Sequence, residues 1–286
     1  MDKEHQKSIY LEVKDHTVSG ELFQLVTNDK LEMLETFPQP SEDKLPEYYQ
    51  SEDYISHTDS TRSLFEKAYH FIKSIALKRK LKLLNSFSKN KKNLLDIGCG
   101  TGDFLQIASK HGWSISGIEP NDQARALANK KTDNAVYDVD QLLKFNLEKF
   151  DVITLWHVLE HLPNLNEQIL KMEKLLKPNG TILIAVPNYK SFDADHYKEF
   201  WAAYDVPRHL WHFSKASISS LVGDFGLTVI KTLPMKFDAY YVSLLSEKYK
   251  SGYMNPIKAI WTGWLSNLKA RSSGEYSSLI YVIKKT

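Results

Sequence analysis

The chain has 286 residues, is 42% hydrophobic and carries a formal net charge of +2, enough for one large domain or one domain with an appendage. So balanced a charge excludes a strong general field for nucleic acid or anionic surfaces. The single cysteine, Cys99, excludes an intramolecular disulfide framework and a cysteine-rich zinc site, and it fits a reducing compartment.

The N-terminus lacks the apolar core of a signal peptide, and no run approaches the ~20 apolar residues of a membrane span. The expectation is a cytoplasmic protein with no transmembrane segment, no nucleic-acid partner and no metal. Residues 1–60 are acidic and interrupted by Pro38, Pro40 and Pro46. Short apolar runs at Glu21–Val26 and Leu31–Thr36 flank Asn28-Asp29 and predict a hairpin, with Pro38–Ser41 as an extended exit. Tyr48, Tyr49, Tyr54 and His57 form an aromatic approach to the next helix. That helix is predicted from Thr61 to Ser86, capped by Ser60 or Thr61, with Leu64, Ala68, Phe71, Ile72, Ile75 and Ala76 at helical spacing. It links residues 61–92. Lys78, Arg79, Lys80 and Lys82 near its end read as a solvated face that complements the helix dipole.

From Asn93 the pattern is regular. Strands are predicted at Leu94–Ile97, Ser114–Ile118, Ala135–Tyr137, Phe150–Trp156, Thr181–Val186, Leu227–Leu233 and Tyr276–Lys284. Helices are predicted at Asp103–His111, Asp122–Asn129, around Val158–Leu162, at Glu167–Leu176, Ser214–Asp224 and over Asp238–Arg271. Lys177-Pro178-Asn179-Gly180 reads as a turn. Strands alternating with helices at this spacing indicate an α/β protein with a parallel sheet covered on both faces. Within the last helical segment, Ile257, Ile260, Trp261, Trp264, Leu265 and Leu268 share one face. That stripe is expected to pack on its own domain, a membrane or partner contact being the alternative.

The stretch Asn93–Phe104, NLLDIGCGTGDF, organises the chemistry. A buried strand ends near Asp96, and Gly98, Gly100 and Gly102 follow at alternate positions, where backbone must turn tightly and approach a ligand closely. The dinucleotide pattern GxGxxG would need glycine at position 103, where Asp103 stands. At the end of the second strand Glu119 can accept hydrogen bonds from two ribose hydroxyls.

DIGCGTG at Asp96–Gly102, Glu119, FDVITLWHVLEHL at Phe150–Leu162 and LLKPNGTILIAVPN at Leu175–Asn188 together resemble the class I S-adenosylmethionine-dependent methyltransferases. Within that family the chain is most similar to ubiquinone-biosynthesis O-methyltransferases and bacterial small-molecule methyltransferases. The resemblance covers residues 93–286, with a helical insertion at about 236–272. It implies a Rossmann-like doubly wound seven-stranded sheet of order 3-2-1-4-5-7-6, strand seven antiparallel. It further implies that Asp96, Gly98, Gly100, Gly102, Glu119, Asp138, Trp156 and His157 bind S-adenosylmethionine.

The reaction implied is methyl transfer to a small molecule, at oxygen or nitrogen. An acceptor hydroxyl or amine calls for a base, for which His157, His161 and His209 are the candidates. Tyr54, His57, Trp201, Tyr204, Arg208 and His209 are the candidate acceptor-side residues, with Arg208 suited to an anionic group. Some relatives begin with a cysteine-bearing zinc module; here FPQPSEDKLPEYYQSEDYISH has none, which implies a metal-free cap or lid. Two alternatives stay open, a nicotinamide-dependent oxidoreductase and a cofactor-binding protein without turnover.

Overall fold

The computed structural model describes residues 8–41, 43–49, 64–87 and 92–285. Three strands come first, β1 (Ile9–Lys14), β2 (Leu22–Asn28) and β3 (Met33–Phe37), followed by helix α1 (Leu64–Ser86). Alternation then sets in with β4 (Asn93–Ile97), α2 (Asp103–Lys110), β5 (Ser114–Ile118), α3 (Asp122–Lys131), β6 (Val136–Tyr137), β7 (Phe150–Trp156), α4 (Leu165–Leu175) and β8 (Leu176–Pro187). The chain closes with α5 (Phe192–Tyr197), β9 (Trp211–His212), α6 (Lys215–Gly223), β10 (Leu227–Pro234), α7 (Asp238–Ser251), α8 (Pro256–Ser273) and β11 (Ser278–Lys285).

The main sheet runs β6-β5-β4-β7-β8-β11-β10. Strands β6, β5, β4, β7 and β8 pair in parallel, whereas β11 is antiparallel to both β8 and β10. In order of strand use this is the predicted 3-2-1-4-5-7-6. Side chains alternate across such a sheet, and the two cores follow that period. Leu95, Ile153, Ile182, Ile184 and Ile283 enter the core roofed by α4 and α6. Their neighbours Leu94, Val152, Leu183 and Val282 enter the core on the opposite face, beneath Leu81 and Leu84 of α1 and Phe104 and Leu105 of α2.

Three local expectations change. The predicted helix around Val158–Leu162 is only a single 3-10 turn, Leu159–His161. The Lys177–Gly180 turn lies inside β8, as an irregularity that lets Phe150 face Leu176 while Val152 faces Thr181. The helical segment after β10 is two helices, separated at Gly252, whose φ of 81° ends α7, and restarted by Asn255, whose side chain accepts from Lys258 N–H.

The predicted hairpin is β2–β3, with Asn28 opposite Met33. It belongs to a second, antiparallel sheet β1-β2-β3-β9 whose last strand comes from beyond the main sheet's fifth strand, with Leu34 opposite His212. The N-terminal segment is thus stitched to the rest through a shared sheet. Ser60 and Thr61 lie outside the described residues.

Under this second sheet sit Val13, Phe23, Leu25 and Leu34, packed against Tyr197, Trp201 and Tyr204. Trp201 and Tyr204, expected on the acceptor side, are each 1% exposed and belong to this core. The Trp201 indole donates to Asp193 Oδ2 at 2.8 Å. Asp193, itself buried, also accepts from Ser266 of α8 and from Ser277 at the start of β11, both at 2.6 Å. One carboxylate ties three segments together. Trp201→Ala should therefore lower unfolding free energy by about 3–5 kcal/mol, measured by urea denaturation; a loss below about 1 kcal/mol would contradict this packing role.

Candidate active site

The glycine loop is fixed to the neighbouring strand before any ligand is considered. Gly98 and Cys99 donate their N–H groups to Ile118 O at 2.8 and 3.1 Å. Gly100 N–H donates to Glu119 Oε2 at 2.8 Å, and Asn121 N–H donates to Oε1 at 3.0 Å. Gly98, Gly100 and Gly102 all have positive φ, 68°, 54° and 77°, a region that side chains with a Cβ rarely adopt.

The three glycines differ in what surrounds them. A Cβ at Gly98 would lie 2.4 Å from Val158 Cγ2, and one at Gly102 would lie 2.9 Å from Ala128 Cβ. At Gly100 a Cβ would meet nothing within 4 Å among the described residues. The outer two are closed off by the protein itself, and no described side chain closes off the middle one. Glu119, 7% exposed, is raised in pKa by burial, against the pull of the Asn121 and Gly100 N–H groups and of Arg125. A carboxylate offers about four lone-pair sites, so two backbone donors leave capacity for ligand hydroxyls.

Asp96 lies one strand over, buried, accepting from Thr154 Oγ1 at 2.5 Å. Burial pushes its pKa up to about 7, opposed by Thr154 and Lys80 and reinforced by Glu119. Lys80 does not lie on a solvated face as expected. It is half-buried, with its ammonium 4.4 Å from the Trp156 ring centroid; burial lowers its pKa, and Asp96 and Asp238 oppose that. The sequence held a signal for this, since Ala76, Lys80 and Leu84 follow one another at four-residue steps and Leu84 is fully buried.

Trp156 meets Phe104 edge-on at 5.6 Å between centroids, and its buried indole N–H has no hydrogen-bond partner among the described residues. Asp138, exposed beyond β6, accepts from Val139 N–H at 2.6 Å and lies 3.5 Å from the Arg125 guanidinium. The structure thus brings Asp96, the three glycines, Glu119, Asp138, Trp156 and His157 to the carboxyl ends of four adjacent parallel strands, where ligands bind in open α/β sheets.

His157 takes a left-handed φ of 59° and lies between two carboxylates. Its Nε2 is 3.1 Å from Asp238 Oδ2 and its Nδ1 is 3.4 Å from Glu160 Oε1. Burial alone would lower its pKa, but hydrogen bonding and charge from Asp238 and Glu160 raise it to about 10. With both nitrogens facing carboxylates the ring is poorly placed to take a proton, which leaves His161 and His209 as the stronger candidate bases. Asp238, the first residue of α7, was not legible as a site residue because it acts across 81 positions of chain.

His161 and His209 meet edge-on, with centroids 4.5 Å apart. His209 Nδ1 lies 2.9 Å from Ala203 O, and His161 Nδ1 lies 3.1 Å from Arg208 O and 3.0 Å from the Tyr49 hydroxyl. A carbonyl can only accept, so each Nδ1 carries the hydrogen and each Nε2 is left to accept a proton or bind a cation. Burial holds His209 well below the usual imidazole range, with His161 next to it adding to the effect. No metal was expected from the sequence, yet Glu160, His161 and His209 place their ligand atoms within 4.8 Å of one another. Beyond the 3.4 Å contact with His157, neither oxygen of the buried Glu160 carboxylate has a hydrogen-bond partner among the described residues. Two imidazoles and a carboxylate are a donor set that suits zinc and other divalent ions.

Arg208 is buried, 5% exposed, and its guanidinium is already paired, donating to both Asp205 oxygens, to Asp15 and to Tyr48 O. It anchors the first strand's end: Asp15 also accepts from Thr17, Val18 and Ser19 N–H, and although burial raises its pKa, these bonds and Arg208 bring it down to about 2. Tyr54 and His57 lie outside the described residues.

Comparison with known proteins agrees with this arrangement. A family model described as a methyltransferase domain matches residues 68–232. The ubiquinone biosynthesis O-methyltransferase of Coxiella burnetii is 30% identical over 145 residues, covering 48% of this chain and 60% of that protein. The enzyme of the same name from Actinobacillus pleuropneumoniae is 34% identical over 108 residues, covering 34% of this chain and 46% of that protein. The chain therefore spans about half the length of these curated relatives. Among solved structures, phosphoethanolamine N-methyltransferase 2 of Haemonchus contortus with S-adenosyl-L-methionine aligns with a TM-score of 0.55 at 16% identity, over 99% of this chain and 70% of that one. An S-adenosylmethionine-dependent methyltransferase from Archaeoglobus fulgidus aligns with a TM-score of 0.52 at 18% identity, over 78% and 98%. At such identities these two likenesses show the fold alone. The family model, the strand order and the glycine loop with its acid lead to one conclusion: this chain belongs to the methyltransferase-domain family, in the class I S-adenosylmethionine-dependent fold.

Proposed function

We propose that this protein is an active methyltransferase that moves a methyl group from S-adenosylmethionine to oxygen or nitrogen of a small-molecule acceptor. The observation that carries the reading is the pre-tied loop: Gly100 N–H bound to Glu119, with no atom of the described residues near a Cβ at Gly100 and unused lone pairs on the acid. The names of the curated relatives favour oxygen as the acceptor atom. Family membership favours methyl over hydride transfer, and a protein that binds cofactor without turnover is the outcome to be tested against.

The residues present fit this cofactor. Glu119 would hold ribose hydroxyls, Gly98, Gly100 and Gly102 would line its ribose and methionine portions, and Asp138 would border the adenine. Asp96 would face the methionine ammonium, and the Trp156 N–H is a donor on the same rim without a partner among the described residues. When bound, the cofactor supplies a methyl group already activated by a sulfonium, so the protein's contribution is chiefly alignment. His161 and His209 are the stronger candidates to take a proton from the acceptor, through Nε2. His157 is a positioning residue that holds the start of α7 against the turn after β7.

Two outcomes check this. S-adenosylhomocysteine should raise the melting temperature of the protein, and Glu119→Ala should weaken its affinity by about 10–100-fold, the value of one to two hydrogen bonds to a charged group. Unchanged affinity in that variant would remove Glu119 from the cofactor site. The second concerns pH. Because the folded His157 pKa of about 10 lies above its ordinary 6.5, its ion pairs stabilise the fold fully below pH 6.5 and lose that effect as pH rises towards 10. The stability difference between the native protein and His157→Gln should therefore be larger at pH 6 than at pH 10. Titration of the His157 ring near 6.5 by NMR would contradict the paired geometry.

A further inference from the structure

Helix α8 is built the reverse way round from an ordinary surface helix. Its inward face is made of small residues, Ala259, Thr262, Gly263, Ser266 and Ala270, all buried. The fit is close: a Cβ at Gly263 would lie 2.7 Å from the Tyr240 ring of α7. The bulky apolar side chains that were expected to pack inward face outward instead. Ile257 is 82% exposed, Ile260 and Trp261 61%, Trp264 45% and Leu268 40%. Their spacing places them in one stripe, with the Trp261 and Trp264 rings 5.1 Å apart. Tyr253 and Met254, in the turn before the helix, are exposed as well. Leaving such side chains in water forgoes the gain of burying them, and a contiguous exposed stripe of this kind marks an interaction surface.

The charge around the stripe says what covers it. From Lys248 to Gly274 the chain carries Lys248, Lys250, Lys258, Lys269 and Arg271 and no carboxylate. With a whole-chain charge of only +2, the remainder is net negative, so the near balance that argued against an anionic partner conceals a local cationic segment. Lys258, Lys269 and Arg271 are exposed beside the stripe. A second copy of the chain meeting face to face would set this cationic segment against itself, since such an interface presents the same patch from both sides. Interfacial tryptophans and isoleucines flanked by lysine and arginine match a membrane whose headgroups are anionic.

We infer that α8 and the turn before it dock the protein on an anionic phospholipid bilayer. The helix lies on the surface and does not cross it: among the described residues no helix is long and apolar enough to span a membrane. Docking also reaches the candidate active site, because α8 packs on α7 and α7 begins at Asp238, the partner of His157.

The test is co-sedimentation of the full chain with vesicles of phosphatidylglycerol and phosphatidylcholine, beside vesicles of phosphatidylcholine alone. The native protein should bind the anionic vesicles, with a blue shift in tryptophan emission, and bind the neutral ones at least about tenfold more weakly. Trp261→Glu with Trp264→Glu should abolish binding to both. Lys258→Glu with Arg271→Glu should remove the preference for anionic lipid. All four positions are exposed, so each variant should keep the native melting temperature and its response to S-adenosylhomocysteine. Failure of the native protein to bind would overturn the inference, as would full binding by the tryptophan variant. So would a native dimer, seen by light scattering, that becomes monomeric when the tryptophans are replaced.

Discussion

The site depends on a hydrogen bond between a backbone amide and a buried acid. Gly100 N–H reaches Glu119 across the gap between two parallel strands, and that bond sets the height of the loop above the sheet. Gly98 and Gly102 make it possible, because Val158 and Ala128 leave no room for a Cβ on either side. The loop is therefore held by packing at both ends and by an acid at its middle. A ligand arriving there finds the geometry already formed, so little ordering cost falls on binding. In the proposed reading the same acid serves the ligand with the lone pairs that the backbone does not use.

A second constraint ties the insertion to this centre. His157 holds Asp238 and Glu160 on its two nitrogens, so the turn after β7, the start of α7 and the buried Glu160 form one electrostatic unit. That unit stands between the glycine loop and the His161–His209 pair. Its cation offsets the burial of Glu160, whose oxygens otherwise lack partners among the described residues. Any cation that entered among Glu160, His161 and His209 would compete with His157 for the same carboxylate, which links proton and metal occupancy at this place.

Much of this was legible in the chain, and the reasons are physical. The parallel strands announce themselves because both faces are buried, so Leu94–Ile97, Phe150–Trp156 and Thr181–Val186 are near-continuous apolar runs. The glycine loop and Glu119 are legible because the chemistry demands particular residue types at a fixed strand-to-strand spacing. The aromatic segment after β8 was not. Composition says that Trp201 and Tyr204 are large and amphipathic, but not that a four-stranded N-terminal sheet covers them. Arg208 looked available because its partner Asp15 lies 193 residues away in sequence. The stripe on α8 was found by its period, while its direction was decided by the small residues opposite, which pack more closely on α7 than tryptophan could.

A crystal structure of the protein with S-adenosylhomocysteine would test the proposal that the loop and its acid form a cradle for S-adenosylmethionine. The ribose hydroxyls are expected on the Glu119 carboxylate, the ligand backbone over Gly100 and the sulfur facing the rim that carries Trp156. A ligand bound elsewhere, or a Glu119 whose contacts are only those to Gly100 and Asn121, would contradict it.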